Sequence, residues 1–473
     1  PLYSSAASDV YKRQTFTAAA QMRTSYFMEG STFRTDMNPA LAPTRGYVML
    51  PAVGGIGVGI NNNFLSVNNF LYPTDNGLVT FLNKAVDKND FLNKLPNNNI
   101  LDVNASVQLM AIGSHTKKFF WNTGINLRAT TDVNIPKEFF SLLTTLEQGS
   151  YDMSDMRVGL NTYLETYVGA AIPIKDFMTI GFRVKGLIGL AQANMNIDRM
   201  NVSINDDKVT AELSGSVRAN SVVKSSYQPG TDLDFSDMIN INGISDLNLK
   251  NWGVGIDIGA EARFLDDHLR VSAALTDLGF IKWNGAGTIN GSLSGNFSYE
   301  GFDLNEGEAI SASDFKMQTE ESTGSYMKRL NMSLNFGAEY AILRNRISFG
   351  LLSHTKFADG LNYTELTASV NLKPVNWITA TVSHTFLNHN ELGVFGFALN
   401  LHPTGFNFFI GADFIGLKAG KLTVADRKIP VPVAMKSANV YMGLGFSLGR
   451  AKYSKAYRDD VEAGRIKVKN KKK

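Results

Sequence analysis

Cysteine is absent from the 473 residues, which excludes a disulfide framework, a thiolate metal site and a lipid-anchored N-terminal cysteine within this sequence. Long hydrophobic runs are missing too. The longest nearly uncharged apolar stretch, Val48 to Ile60, falls short of the roughly 18 to 20 residues a membrane-spanning helix needs. Charge of one sign is not dominant: 46 Lys and Arg stand against 43 Asp and Glu, and much of the excess of +3 sits in Lys467-Val468-Lys469-Asn470-Lys471-Lys472-Lys473. No nucleic-acid footprint exists beyond that tail. Proline is scarce at 13, whereas Gly 42, Phe 30 and Tyr 16 make the palette of many strands joined by polar turns.

Catalytic motifs are equally sparse. The glycine-rich Gly54-Gly55-Ile56-Gly57-Val58-Gly59 lacks dinucleotide or phosphate-loop spacing and has no Lys-Ser/Thr after it. Glycines that let a sheet bend explain it better. The six His, at 115, 268, 354, 384, 389 and 402, form no helical His-x-x-x-His pair and no Glu-flanked zinc motif. A Gly-x-Ser-x-Gly elbow is missing as well. The sequence thus predicts no enzyme, no metal and no cofactor.

What is present is alternation with period two, the mark of a strand whose faces meet different surroundings. Leu101, Val103, Ala105, Val107, Leu109 and Ala111 interleave with Asp102, Asn104, Ser106 and Gln108. Trp252, Val254, Ile256, Ile258, Ala260, Ala262 and Phe264 do so with Gly253, Gly255, Asp257, Gly259, Glu261 and Arg263. Leu330, Met332, Leu334, Phe336, Ala338 and Tyr340, then Val440, Met442, Leu444 and Phe446, repeat the pattern. The apolar sets are expected to face lipid.

A soluble sandwich also alternates, so connection lengths must discriminate. Short connections near 114–118, 173–176, 265–268, 343–346, 373–376 and 402–405 alternate with mostly longer ones at 61–100, 132–155, 197–250, 284–328 and 418–436. That asymmetry belongs to outer-membrane barrels, with short periplasmic turns and long extracellular loops. The reading is an all-β fold, a transmembrane antiparallel barrel of about 14 strands over residues 47–449. Its strands run from about 47–60 and 101–113 to 406–417 and 437–449, with an extra hairpin over 202–217. An even strand count returns both chain ends to the periplasm, in the outer membrane of a Gram-negative bacterium. Trp121, Trp252 and Trp377 at strand starts and Trp283 past a strand end are expected in the headgroup zone.

Charged residues on the polar face are the lumen-lining candidates: Arg128, Arg157, Glu165, Arg183, Lys185, Asp257, Glu261, Arg263, Glu339 and Glu365. Both signs occur, so cross-strand pairing that stiffens the lumen is favoured over a dedicated substrate site. Residues 1–20 read as an adapter-like stretch followed by the remnant of a signal peptide, with cleavage expected after Ala20. Residues 21–46 are too apolar for a solvated tail. With Phe27, Phe33, Asn38 and Pro39 they suit either a hatch folded into the lumen or a short periplasmic cap. Residues 450–473 form a basic periplasmic tail.

Asn38-Pro39-Ala40, Arg183-Val184-Lys185-Gly186-Leu187 and Leu275-Thr276-Asp277-Leu278-Gly279-Phe280-Ile281-Lys282-Trp283 together resemble an uncharacterised Bacteroidota outer-membrane family related to the long-chain fatty acid transporter (FadL) and to PorV-like barrels. The resemblance implies a fourteen-stranded barrel with an N-terminal hatch inside. FadL-like transporters pass hydrophobic molecules through a loop-side pocket and a lateral wall opening, and PorV-like relatives act as carriers in secretion. No ligand residue of either branch maps onto this chain. Two functions are expected: a channel or transporter for small hydrophobic or amphipathic molecules, or a non-enzymatic secretion or surface-assembly factor binding protein partners. The second would use long loops, notably the acidic 284–328 with Glu300, Asp303, Glu306, Glu308, Asp314, Glu320 and Glu321. Membrane lipid and lipopolysaccharide are the partners expected on the outer wall.

Overall fold

A computed structural model describes residues 23–74, 77–145, 147–205, 208–222, 250–285, 288–300, 316–322, 324–358, 361–386, 394–415, 419–424, 427–432 and 437–452. Fourteen antiparallel strands close into one barrel. In chain order they are β1 (Gly46–Met49 and, after a break, Gly55–Asn62), β2 (Asn98–His115), β3 (Phe120–Pro136), β4 (Met156–Lys175) and β5 (Met178–Asn205). Then come β6 (Trp252–Phe264), β7 (Leu269–Trp283), β8 (Tyr326–Arg329 and Met332–Ile342), β9 (Ile347–Ala358) and β10 (Leu361–Val375). The last four are β11 (Ile378–Phe386), β12 (Val394–Leu401), β13 (Asn407–Ile415) and β14 (Ser437–Leu448). Each strand pairs with its sequence neighbour, and β14 pairs with β1, so the wall closes on itself without a free edge among these strands.

The outer face explains why these residues form this wall. Along β6 the pattern is strict: Trp252, Val254, Ile256 and Ile258 are 44–51% exposed, while Asp257 is fully buried. Val184, Phe336, Phe349, Val440 and Phe446 continue the apolar belt. An apolar belt around a closed barrel with a polar interior places lipid outside, because only a barrel or a helix satisfies its backbone there.

One end of the barrel carries the short turns. Two of these, Leu265-Asp266-Asp267 and Leu343-Arg344-Asn345, run through three successive left-handed residues. At the other end the wall grows beyond its rim. The outer half of β5 leaves β6 and pairs instead with Lys208–Ser221, which pairs with Thr288–Glu300, and that strand with Lys316–Ser322. The hairpin expected over 202–217 is the root of this arm. At the same end Phe64, Phe81, Phe91, Leu92, Leu95 and Phe140 form an apolar cap, with Phe81 and Phe91 stacked at 4.1 Å.

Phase slips correct several expectations. A bulge at Leu109, between the Gln108 and Met110 pairings, turns Met110 outward and Ala111 inward, where Ala111 is fully buried rather than facing lipid. A second bulge at Thr276-Asp277 turns Trp283 into the barrel, fully buried beside Ile281 and Leu330, and not into the headgroup zone. Leu330 is likewise inward. The single first strand expected over 47–60 is broken at Leu50–Gly54, because Pro51 has no N–H to continue the ladder. Asp303, Glu306, Glu308 and Asp314 of the acidic loop, and residues 1–22 and 453–473, lie outside the described residues.

Candidate functional site

The interior is built around residues 23–45, which lie inside the barrel. Phe27, Phe33 and Asn38 are 0–6% exposed and Pro39 is buried with them. Asn38 makes the central contact: its amide donates to Tyr26 Oη at 3.3 Å and to the carbonyls of Ala260 and Ala273, each at 3.4 Å, while its Oδ1 accepts the Ala40 N–H at 2.9 Å. Two wall glycines make room for this turn. A Cβ on Gly259 would fall 2.1 Å from Asn38 Oδ1, and one on Gly181 would fall 2.1 Å from the Ala40 nitrogen. The segment therefore seats where side chains are absent.

Ion pairs lock it further. Arg23 and Glu365 pair with both side chains fully buried. Asp36 accepts from Arg183 at 2.6 Å, and Thr35 accepts from the same guanidinium at 3.0 Å. Glu29, off the strands and near the short-turn end, meets Arg270 and lies 3.3 Å from Lys373. Burial alone would raise the Glu29 carboxyl, but those two cations outweigh it and hold it well below the usual carboxylate range.

Above the segment the wall charges form one network. Lys185 Nζ is the hub, 2.6 Å from Asp277, 2.8 Å from Asp257 and 3.6 Å from Glu165. Arg128 holds Glu165 at 3.1 Å and approaches Asp277 at 3.7 Å. Arg183 reaches Asp257 at 4.0 Å and lies over the Tyr167 ring at 4.2 Å. Asp277 joins only because of the bulge. It adopts the left-handed conformation, φ 59°, and its N–H donates to Asp257 at 2.7 Å, so Thr276 and Asp277 both point inward.

Of the ten charged candidates, Arg128, Glu165, Arg183, Lys185 and Asp257 meet in this network, and Glu365 pairs with Arg23. Glu339 lies 3.4 Å from Arg270 and 3.5 Å from Lys373 near the short-turn end, where Glu261 binds Arg263 at 2.5 Å. Arg157 is exposed near the start of β4, paired in register with Asn134 of β3, and joins none of these ion pairs. Sequence reading missed Arg23, Asp36, Arg270, Asp277 and Lys373. The adjacent polar pair Thr276-Asp277 interrupting an alternating strand was a visible sign for one of them. Asp36 lies off the strands, where alternation says nothing.

A second feature is apolar. Behind the break in β1, Phe33 packs on Phe409 with ring centroids 4.4 Å apart, in a cluster with Tyr47, Met49, Ala111, Phe120, Ala171 and Tyr441. At the same break Pro51, Ala52 and Val53 are exposed, and the excursion is tied to β14 by Leu50 N–H to Leu444 O and Leu444 N–H to Val53 O. A largely polar lumen wall thus carries an apolar patch at the place where its hydrogen-bonded ladder is interrupted.

Residues 39–413 match a family described as a family of unknown function, DUF5723. The chain belongs to this family. No curated protein matches the DUF5723 chain. Among solved structures it is similar to the toluene transporter TbuX of Ralstonia pickettii, with 8% identity over 92% of this chain and 96% of that one and a TM-score of 0.41. A mutant of the monoaromatic hydrocarbon channel TodX gives 10% identity, 88% and 94% coverage and 0.45. A FadL homologue of Pseudomonas aeruginosa gives 9%, 88% and 93%, and 0.38.

Proposed function

We propose that this DUF5723 protein is an outer-membrane transporter that passes small hydrophobic or amphipathic molecules, with residues 23–45 as its plug and the short-turn end and both termini in the periplasm. The observation that carries the reading is the apolar cluster behind the interruption of β1. A water-filled pore has no use for the plug residue Phe33 packed against the wall residues Phe409, Met49 and Tyr441 at a break in the ladder. An apolar molecule leaving a polar lumen gains free energy there, at about 25 cal/mol per Å² of buried surface. The Leu50–Gly54 excursion is held to β14 by two backbone hydrogen bonds, Leu50 N–H to Leu444 O and Leu444 N–H to Val53 O, so its displacement gives a route to lipid that breaks few of them. The short-turn end also joins the exit of the plug to the last described residues: Arg45 donates to Gly449 O at 2.9 Å and Lys452 N–H to Thr44 O at 2.8 Å.

The test is uptake of N-phenyl-1-naphthylamine, an apolar dye that fluoresces in lipid, by a Gram-negative host with an intact lipopolysaccharide leaflet. Cells making the protein should take up dye several-fold faster than cells carrying the empty vector. Phe33→Trp, which overfills the patch, should slow uptake. Equal uptake with and without the protein would overturn the proposal.

A further inference from the structure

At the short-turn mouth of the barrel three neighbouring turns frame one pocket. The turn 343–346 is bonded to the next by Lys373 N–H to Arg346 O at 2.7 Å, and that hairpin to the third by His402 N–H to Trp377 O at 2.8 Å. Arg344, Arg346 and Lys373 line the pocket against a single carboxylate, Glu29, so the lining is cationic. Glu29 is already held by Arg270 and Lys373 and accepts from Asn345 Nδ2 at 3.1 Å. Lys373 also reaches Glu339 at 3.5 Å. The Arg346 side chain, by contrast, is exposed and makes no ion pair among the described residues.

Two further residues of the same lining carry unused polar atoms. Thr44 Oγ1 and His402 Nδ1 are buried without a hydrogen-bond partner among the described residues, and His402 is 6% exposed. Unmet buried polar groups cost free energy until something completes them. Convergent cations with spare hydroxyl and imidazole groups suit an oxyanion with several oxygens to share: guanidinium forks bind phosphate oxygens in pairs, and an ammonium adds a point charge. A carboxylate offers only two oxygens to this set, and a neutral ligand makes no use of its charge. The flank of the pocket is apolar. Val375 lines it and is exposed, as are Leu343 and Trp377 on the same two turns.

We infer that this pocket is a phosphate-binding site. A lipid headgroup in the leaflet at that rim and a free phosphate present the same oxygens, and the exposed apolar flank favours the lipid. A phosphate there draws on Lys373, the cation that also holds Glu29, so occupancy of the pocket and seating of residues 23–45 share one ion pair. The site does not depend on what the lumen passes.

The experiment is isothermal titration of the full chain in dodecyl maltoside, an uncharged detergent, with acetate, inorganic phosphate and dihexanoyl phosphatidylglycerol at one ionic strength. Inorganic phosphate should bind about tenfold more tightly than acetate, and the phospholipid more tightly still. Arg346→Gln should weaken both phosphate compounds several-fold, and Arg344→Gln with Arg346→Gln about tenfold, while heat-modifiable migration shows the barrel intact. Lys117→Gln with Lys118→Gln removes two exposed cations from another turn at the same end and should bind as wild type. A phospholipid no tighter than inorganic phosphate would keep the site and assign it to the free ion. Acetate as tight as phosphate, unchanged binding in both arginine variants, or an equal loss in the lysine control would overturn the inference. Because titration measures binding alone, a failure of dye uptake would strike the transporter reading and leave this result standing.

Discussion

A methyl group added at the right glycine should unseat the N-terminal segment. Alanine at Gly259 would place its Cβ 2.1 Å from Asn38 Oδ1, and at Gly181 the same distance from the Ala40 nitrogen, where ordinary contact begins at 3.4 Å. The turn must therefore retreat by about 1.3 Å. That shift exceeds what the Asn38 amide can absorb, since its three donated bonds already stand at 3.3–3.4 Å. Each lost bond costs about 0.5–1.5 kcal/mol, and overpacking about 1–3 kcal/mol. With the two amide protons of Asn38 unpaired, the terms together give roughly 2–6 kcal/mol against the seated segment. Gly255, on the same face of the same strand, is the matched control, because its Cβ would meet nothing nearer than 3.5 Å. In planar bilayers wild type and Gly255→Ala should be silent, whereas Gly181→Ala and Gly259→Ala should show intermittent currents and a lower urea midpoint. If all three variants behave alike, the docking of Asn38 does not hold the lumen shut.

Replacing the hub by Lys185→Met strands Glu165, Asp257 and Asp277 around an apolar chain, and should cost about 3–5 kcal/mol in urea unfolding. Asp277→Asn and Asp277→Ala both lose the Lys185 ion pair, but asparagine keeps an acceptor and tolerates the left-handed bulge, and alanine does neither. The alanine variant should therefore be less stable by a further 1–2 kcal/mol or so. For Glu29, a depressed carboxyl contributes its full stabilisation above the ordinary carboxylate range and loses it only as pH falls through the lowered value. Acidification to about pH 5 should thus leave the Glu29 ion pairs intact, whereas Glu29→Gln should raise bilayer conductance at neutral pH. Trp283, fully buried, should escape quenching by brominated lipid, and Trp283→Phe should remove the unquenched component while Trp252, exposed on the outer wall, stays quenched.

The barrel was legible in the chain before any coordinates. Period-two alternation is local chemistry: the pleat sends successive side chains to opposite faces, so apolar sets such as Trp252 to Phe264 report the lipid face without knowledge of any neighbour. Alternating connection lengths then supplied strand number and closure. The interior was readable only as a set of inward charges. Which of them meet depends on register between strands, and register depends on bulges that insert one residue and invert the faces beyond it. Ala111 and Trp283 went inward for that reason, and Asp277 reached Lys185 through the same device. Asp36, Arg23 and Glu29 came from a segment with no alternation to read, and their partners lie far along the chain, on walls that only the closed barrel brings around them.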